Sequence, residues 1–508
     1  MSKRSIIWIG WVAVMAVAFW LRVEDLDSRP IHFDEATGAS IFAKRLEGSG
    51  YRFDPSHYHG PFQSVSSIPL AKIYGEATWE ELSLTMLRTG PVIAGLLTVL
   101  TPLLWLSAIG RRAALAAGAL LACSPLLVYY SRMYIHESWL TLFGMLTAAG
   151  VFYLIKRPTR NRALAAGAAA GLMLATKETV VISLFCWALA GLICWWRLRA
   201  DGTKEETAPK LTDYLVPAFW FVMSMLLLGA AFYTNGFRQP EGLVDAFRTY
   251  FVYETTPGHD KAFGFYLHML VWPKHLLGIW WTESAIAIFG VLACLFAALR
   301  GKSVAVVSFI AAGVLLHLLV YSLIGYKTPW LMTLPWSLAC LLAGCVFSSA
   351  LPKRRNAKSL LLYTGFGLVL FYQGYQSVHA TGRLSNHADN PYAYVPTSKN
   401  ITQLPEWLKE LERFIEDQPL EPIAVIGRGY WPLPWYLREF DTVGYWQDPP
   451  EGLRNYPSVI AMPEKAAECN EILADSHTQL PRTLRSNVPI ILYLKNEIWS
   501  AWTETPKQ

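Results

Sequence analysis

The sequence predicts a polytopic α-helical membrane protein with a small C-terminal extracytoplasmic α/β domain. Hydrophobic residues make up 53% and aromatic residues 14% of the 508 positions, and the mean hydropathy is positive. This composition is typical of membrane proteins. Long apolar runs recur up to about residue 375, after which Pro, Asn, Asp and Glu become frequent. We therefore predict a membrane domain over residues 1–379 and a separate domain over residues 380–508.

The apolar runs define about eleven candidate membrane spans, because a span needs roughly 20 mostly apolar residues. They cover about 5–22, 88–109, 113–130, 138–155, 163–176, 179–196, 212–233, 284–299, 303–324, 330–351 and 359–375. The first run follows Lys3 and Arg4 and has no small-residue cleavage site after it. It is predicted to be a retained span and not a signal peptide.

Basic residues occur in every second loop between these spans. The clusters are Lys3/Arg4, Arg111/Arg112, Lys156/Arg157/Arg160/Arg162, Arg197/Arg199 with Lys204/Lys210, Arg300/Lys302 and Lys353/Arg354/Arg355/Lys358. Because cytoplasmic loops accumulate Lys and Arg, the N-terminus is predicted to be cytoplasmic. The loops 23–87 and 234–283 and the C-terminal domain are then extracytoplasmic, in a plasma or inner membrane.

The C-terminal region alternates short β-like runs with one amphipathic segment. The runs are "IAVIG" (423–427), "SVIAM" (458–462) and "VPIILYL" (488–494), and "LPEWLKELERFIEDQ" (404–418) has helical spacing. Alternation of this kind indicates an α/β domain. Cys469 is the single cysteine of this region, so no disulfide is expected within it.

The stretch "HFDEA" places adjacent carboxylates, Asp34 and Glu35, directly after the first span. Carboxylates at this depth can act as a general base, as divalent-metal ligands, or as a binding site for an acceptor hydroxyl. The alternative is that the two acids only end the helix and are solvated there.

Two further predicted outer motifs add ionisable groups. "YYSRMYIHESWL" contains Arg132, His136 and Glu137 before a span, and "ATKET" places Lys177 and Glu178 between two apolar segments. Ionisable groups at membrane depth are costly and are functional candidates. The alternatives are an arginine that snorkels to the interface and a structural Lys–Glu pair.

Histidines and lysines of the predicted outer loops supply the remaining candidates. His59 in "DPSHYHGPF", together with Asp34 or Glu35, could hold a divalent cation such as Mg, Mn or Zn; alternatively, the Gly-Pro that follows marks only a turn. His259 and Lys327 complete the set, since a lysine at the rim suits a phosphate headgroup. A snorkelling anchor is the alternative for Lys327.

The sequence contains neither a G-x-x-x-x-G-K-[ST] loop nor a dinucleotide-binding fingerprint. No nucleotide cofactor is therefore expected, and the net charge of +6 orients the spans without indicating nucleic acid. A sugar would have to arrive on a lipid, which suits a polyprenyl-phosphate donor whose tail lies between the spans.

The motifs "HFDEA", "YHGP", "YYSRMYIHE" and "ATKET", in this order, resemble the membrane glycosyltransferases of the C-type (GT-C) fold. Examples are the dolichyl-phosphate-mannose protein mannosyltransferases and the bacterial aminoarabinose transferases. Together with "YKTPW", "NPYAYV" (390–395) and "WPLPWYLR" (431–438), they resemble more closely a prokaryotic branch described as flippase-activity-associated proteins.

The resemblance implies transfer of a sugar from a polyprenyl-phosphate-sugar to a glycan, lipid or protein acceptor on the outer face, with inversion. It matches Asp34 to the base or to the carboxylate that binds metal and acceptor, Glu35 to its partner, and Lys177 to the lysine near the donor phosphate. Arg132 is a second candidate for the phosphate. Relatives commonly have an Arg-x-Asp-like ending where this chain has "MYIHES", so His136, Glu137 or neither fills that position.

Two other classes of function stay open at this stage. The first is a flippase accessory or transporter that binds a lipid-linked glycan without cleaving it, which would need charges along a path through the bilayer. The second is a structural membrane partner with the C-terminal domain as its docking module, in which any polar residue could replace Asp34 and Lys177.

Overall fold

The computed structural model describes residues 3–48, 51–200, 209–252, 258–301, 304–349, 357–412 and 420–504. Up to residue 381 the described chain is almost entirely helical. The helices are α1 (Lys3–Val23), α2 (Phe33–Leu46), α3 (Phe62–Tyr74), α4 (Leu84–Leu100), α5 (Leu106–Ile109), α6 (Arg111–Cys123), α7 (Pro125–Tyr130), α8 (Glu137–Lys156), α9 (Arg160–Leu174), α10 (Val180–Ala200), α11 (Leu215–Tyr233), α12 (Gly242–Val252), α13 (Phe265–Leu270), α14 (Ser284–Arg300), α15 (Val304–Leu323), α16 (Thr333–Gly344), α17 (Val346–Ser349) and α18 (Ala357–Thr381). A short antiparallel pair, β1 (Lys274–Leu276) and β2 (Ile279–Trp281), lies between α13 and α14.

Seven helical segments of the described chain are long and apolar enough to cross a membrane. They are Ser5–Val23, Leu84–Ile109, Glu137–Lys156, Val180–Arg199, Leu211–Tyr233, Val304–Leu323 and Pro329–Ser348, and Ser284–Leu299 is a shorter apolar helix. Helices α6, α9 and α18 lie at the other predicted spans. The protein is therefore a multi-pass membrane protein, and the number of eleven spans stays a prediction.

The predicted span 113–130 is divided into two helices. Helix α6 ends at Cys123, Ser124 leaves the helical conformation, and α7 begins at Pro125. Proline has no backbone N–H and disfavours the helical conformation in the residue before it. The hydroxyl of Ser124 is thereby free to donate a hydrogen bond to the buried Glu283 (2.5 Å).

Helix α9 is short and rich in alanine and glycine because it packs closely against α11. A Cβ atom on Gly167 would lie 2.2 Å from the carbonyl oxygen of Phe221, and one on Gly171 would lie 2.7 Å from that of Met225. Small residues allow such backbone approach in membrane helix packing. The close packing holds the following turn, residues 175–179, at the end of the bundle.

The C-terminal region forms a five-stranded mixed sheet in the order β4-β3-β5-β7-β6. Its strands are β3 (Ile423–Ile426), β4 (Val443–Trp446), β5 (Ser458–Ala461), β6 (His477–Arg485) and β7 (Val488–Lys495). Strand β3 pairs in parallel with β4 and β5, and β7 pairs antiparallel with β5 and β6. The helices of this region are α19 (Lys399–Thr402), α20 (Leu404–Glu412), α21 (Leu433–Tyr436), α22 (Ala466–Leu473) and α23 (Asn496–Glu504).

Three of these strands and helix α20 coincide with the predicted elements, which confirms the predicted fold class. Strands β4 and β6 were not predicted, because each interrupts its apolar residues with polar ones or glycine. Residues 413–418 of the predicted helix, and residues 253–257 of the predicted loop 234–283, lie outside the described residues.

The segment that follows α18 fastens the sheet region to the helices. The hydroxyl of Tyr392 donates to the Glu283 carboxylate (3.0 Å), and the hydroxyl of Tyr130 donates to the carbonyl of Tyr392 (2.6 Å). Thr397 donates to the carbonyl of Ile31, immediately before α2 (2.6 Å). The sheet region is thus bonded to the start of α2, and the division into domains at residue 380 stays a prediction.

Candidate active site

The first turn of α2 sets the positions of the adjacent acids. His32 is the N-cap: its Nδ1 accepts from the N–H of Asp34 (3.2 Å), and its own N–H donates to the Glu35 carboxylate (2.9 Å). This reciprocal pair is a capping box, and a helix N-terminus favours negative charge. Successive residues of a helix point in directions about 100° apart, so Asp34 and Glu35 face different surroundings.

Glu35 faces the protein interior and is fully buried. Arg88 donates to both of its carboxylate oxygens (2.9 Å each), the N–H of Tyr134 donates at 2.8 Å, and Arg29 lies at 3.5 Å. Burial opposes ionisation, but the charges of Arg88 and Arg29 outweigh it and lower the pKa of Glu35 to about 2. The contacts of Glu35 with Arg88, Arg29 and Tyr134 tie α2 to other parts of the chain, and Glu35 does not line the neighbouring cavity.

Asp34 faces a cavity of about 420 Å³ and keeps 39% of its side chain exposed. The size is within the range of ligand pockets. Residues from six separate parts of the chain form the polar wall: Asp34, Thr37, His57, His59, His136, Glu137, Lys177, Glu178, Thr179, Thr249, Tyr321 and Tyr326. Aliphatic residues complete the lining: Ile41, Ile135, Val181, Ile182, Ile324 and Leu331.

Lys177 and Glu137 form a buried ion pair in the cavity wall. Lys177 lies in the turn between α9 and α10, Glu137 begins α8, and their charged atoms are 2.5 Å apart. An ammonium group carries three N–H donors, and one of them faces the Glu137 carboxylate. A structural Lys–Glu pair, which was the alternative role for Lys177, is therefore present, and both of its residues line the cavity.

Glu178 and two histidines form a second group in the same wall. His59 Nδ1 lies 3.0 Å from the Glu178 carboxylate, and the rings of His59 and His136 are 5.0 Å apart. Burial raises the pKa of Glu178, but the neighbouring His59 and Lys177 lower it more, to about 2. Burial lowers the pKa of His136 well below its usual value.

Three further predicted site residues, besides Glu35, do not line the cavity. Arg132 donates to the carbonyls of Leu21 and Asp25 at the end of α1, and Lys327 donates to those of Lys261 and Ile324. Their charges are therefore used to satisfy backbone carbonyls, and the geometry does not support either one as a phosphate ligand. His259 bonds the hydroxyl of Tyr394 (2.6 Å) close to Asp34.

The predicted metal set of Asp34, Glu35 and His59 does not converge. Glu35 points away from the cavity toward Arg88, and the described residues contain no group of three His, Cys, Asp or Glu side chains placed to share a metal ion. The donor set does not fit a divalent cation held by protein ligands. Dependence on Mg, Mn or Zn stays a prediction.

Several residues around Asp34 were not predicted from the sequence. They are Trp330 of the cavity wall, Arg88 behind Glu35, and Tyr394, Thr397 and Arg485 beside α2. The motifs "YKTPW" and "NPYAYV" contain two of them, Trp330 and Tyr394, and were the signal that could have identified them. No sequence signal pointed to Arg485, because a single arginine in a polar strand resembles any exposed residue.

No protein-family model matches the sequence, and no curated protein sequence matches it. Solved structures are similar in fold. ArnT from Cupriavidus metallidurans superposes with a TM-score of 0.62 in the apo state and 0.61 bound to undecaprenyl phosphate, at 15% identity, over 98% of this chain and 99% of ArnT. The oligosaccharyltransferase AglB from Archaeoglobus fulgidus, in complex with an inhibitory peptide and a dolichol-phosphate, gives 0.50 at 14% identity, over 98% of this chain and 77% of AglB.

These similarities extend along nearly the whole chain, membrane helices and sheet region together. The chain therefore has the GT-C fold, which confirms the fold that the resemblance implied. The resemblance to the flippase-activity-associated branch stays a prediction.

Proposed function

We propose that this GT-C-fold chain is an integral membrane glycosyltransferase that moves a sugar from a polyprenyl-phosphate-linked donor to an acceptor hydroxyl. The observation that carries the proposal is the position of Asp34. It is an accessible carboxylate at a helix N-terminus, on the wall of a cavity that also presents the Lys177 ammonium group and an aliphatic lining.

The cavity has the chemistry that such a donor requires. Its aliphatic residues suit the first isoprene units of a lipid, and Lys177 supplies a positive charge for a phosphate. Undecaprenyl phosphate is bound to ArnT and dolichol-phosphate to AglB, which supports a polyprenyl-phosphate ligand for the similar fold of this chain. We place the cavity on the extracytoplasmic side, as the basic loops predict.

The proposed reaction is a single displacement. Asp34 accepts the proton of the acceptor hydroxyl while the oxygen forms a bond to the anomeric carbon. The bond between that carbon and the phosphate oxygen breaks, its electrons remain on the phosphate, and polyprenyl phosphate leaves. Lys177 stabilises the charge that develops on the leaving phosphate. Attack from the face opposite the phosphate inverts the anomeric configuration.

Glu35 has a positioning role in this proposal. Its bonds to Arg88 and to the N–H of His32 fix the first turn of α2, and they thereby fix the direction of Asp34. Preorganised placement of a base in this way contributes to the rate without contact with the substrate.

The test is release of polyprenyl phosphate from a synthetic polyprenyl-phosphate-hexose by the purified full-length protein, with an envelope extract as the source of acceptor. General-base assistance is worth about 10²- to 10⁴-fold, so Asp34→Asn should lower extract-dependent release by that factor and leave donor binding intact. The matched control is Asp27→Asn, because Asp27 is an exposed acid in the loop between α1 and α2. Its release of polyprenyl phosphate should equal that of the wild type.

Each outcome separates the candidate functions. Equal release by wild type and Asp34→Asn would remove Asp34 from the chemistry. Donor binding without release, across several sugars and extracts, would favour the accessory or transporter that binds without cleaving. Release that needs both the extract and Asp34 supports transfer.

A further inference from the structure

The C-terminal sheet region holds one edge of strand β6 beside the first turn of α2. The ring Nε2 of His32 donates to the carbonyl of Tyr394 (2.9 Å), and Thr397 donates to the carbonyl of Ile31 (2.6 Å). At the next residue of the same segment, the N–H of Ser398 donates to the carbonyl of Leu484 in β6 (2.9 Å). The end of β6 is therefore fixed relative to Asp34 by three hydrogen bonds.

Arg485, the last residue of β6, points toward α2. Its guanidinium carbon lies 5.1 Å from the centre of the Phe33 ring, and one terminal nitrogen donates to the carbonyl of Gly429 (2.7 Å). Its Nε is buried and has no hydrogen-bond partner. The side chain is thus held on one edge by Gly429 and on one face by Phe33, with donor capacity left over.

Arg485 and Asp34 act on each other electrostatically without forming an ion pair. Among the described residues, the Arg485 guanidinium and the Asp34 carboxylate lie farther apart than an ion pair. Arg485 is also absent from the cavity wall that contains Lys177. Asp34 therefore has a phosphate-suited cation on its cavity side and a second, separately held cation on the side of the sheet region.

We propose that Arg485 binds an anionic group of the acceptor, a carboxylate or a phosphate, and so selects acidic acceptors for the hydroxyl that Asp34 deprotonates. The inference rests on the proposed glycosyl transfer. A guanidinium presents paired N–H donors that match a carboxylate or phosphate. In an inverting displacement the acceptor approaches the anomeric carbon from the face opposite the donor phosphate. An anionic group on the acceptor therefore lies away from a phosphate held by Lys177, and Arg485 is a cation outside the cavity wall that contains Lys177.

A purely structural role for Arg485 makes a different prediction. If the residue only joined β6 to Phe33 and Gly429, its loss would lower activity toward charged and neutral acceptors equally. Selection of an anion instead changes the ratio of the two KM values, which a general loss of stability does not change.

The experiment compares octyl glucoside, octyl glucuronide and a phosphorylated octyl glucoside as acceptors for the full-length protein in lipid vesicles with a polyprenyl-phosphate-hexose donor. The variants are Arg485→Gln and Arg485→Lys. Arg482→Gln is the matched control, because Arg482 is on the same strand but its guanidinium lies 5.0 Å from the Trp407 ring. The glucuronide and the phosphorylated glucoside distinguish a carboxylate from a phosphate.

The wild type should show a KM at least about tenfold lower for one or both anionic acceptors than for octyl glucoside, since a charge-assisted hydrogen bond is worth about that factor. Arg485→Gln should lose this preference, Arg485→Lys should keep part of it, and Arg482→Gln should keep all of it. Equal use of the three acceptors by the wild type, or an unchanged preference in Arg485→Gln, would overturn the proposal. A weaker donor affinity in Arg485→Gln would overturn it as well, by placing Arg485 on the donor.

A binding measurement distinguishes failure of this inference from failure of the proposed function. If no acceptor and no envelope extract yields polyprenyl phosphate, transfer fails. Equilibrium dialysis of the three octyl glycosides in the presence of donor then decides the role of Arg485. Anion-selective binding that requires Arg485 supports the acidic-ligand site, and binding without such selectivity overturns it.

Discussion

The two sides of the first turn of α2 use the same functional group in opposite ways. On one side Glu35 is sealed from solvent and receives bonds from Arg88, Tyr134 and His32. On the other side Asp34 keeps an exposed carboxylate on a cavity wall. A carboxylate whose acceptor sites are all occupied can fix a structure, whereas one with accessible lone pairs can accept a proton. Adjacent acids in a sequence therefore do not imply a shared role.

The sharpest test of this contrast exchanges each acid for its amide. Glu35→Gln leaves the buried charges of Arg88 and Arg29 without their counter-ion, which should lower the free energy of unfolding by about 3–5 kcal/mol. Asp34→Asn, at a partly exposed site, should change it by no more than about 0.5 kcal/mol while lowering transfer by about 10²- to 10⁴-fold. Chemical unfolding in detergent measures both, and similar losses of stability in the two variants would contradict the division of roles.

A second test concerns Lys177 on the cavity side. In the proposed function Lys177 donates a charge-assisted hydrogen bond to the donor phosphate. Such a bond is worth about 1.5–3 kcal/mol, so donor affinity should fall by about tenfold or more in Lys177→Ala. Lys177→Arg should retain part of it. Lys261→Ala, an exposed lysine of the neighbouring loop, controls for loss of general charge attraction and should bind donor normally.

The pH dependence of stability is a separate test of the structural role of Glu35. The pKa of Glu35 is lowered from 4.5 to about 2 in the folded protein. A carboxylate with a depressed pKa contributes stability that is complete above the unfolded-state value and is lost as the pH falls toward the folded-state value. Wild-type stability should therefore decline between about pH 4.5 and 2. The stability of Glu35→Gln should decline less steeply over this window. Parallel curves of stability against pH for the wild type and Glu35→Gln would argue against the ion pair of Glu35 as the source of the pH dependence.

The smallest effect is expected where the sheet region meets α2. Thr397→Val removes the hydrogen bond to the carbonyl of Ile31 and should cost about 0.5–1.5 kcal/mol. Its effect on transfer should be modest, because the hydrogen bond from His32 to Tyr394 still joins the two parts. Thr402→Val, which loses a local bond in an exposed turn, serves as the comparison. A large loss of transfer rate in Thr397→Val, with only the small expected loss of stability, would show that this contact positions Asp34.

Much of the fold was predictable because its determinants are local. Span length and apolarity identify membrane helices from short windows, and the β-like runs of the tail predicted β3, β5 and β7. The missed strands β4 and β6 are stabilised by pairing with their neighbours more than by their own apolar pattern. The break between α6 and α7 was missed although Pro125 signals it, since apolarity alone does not distinguish one long helix from two short ones.

The candidate site divides in the same way. The sequence was sufficient to predict that Asp34, Glu35, Glu137 and Lys177 lie near the same end of the bundle, since the order of spans and charged loops decides which end each loop occupies. The three-dimensional packing was needed to show that Asp34 lines the cavity while Glu35 is buried against Arg88, and that Arg485 lies beside Phe33. Those outcomes depend on which side of a helix packs against a residue distant in sequence, and a pattern along one segment contains no information about its partner.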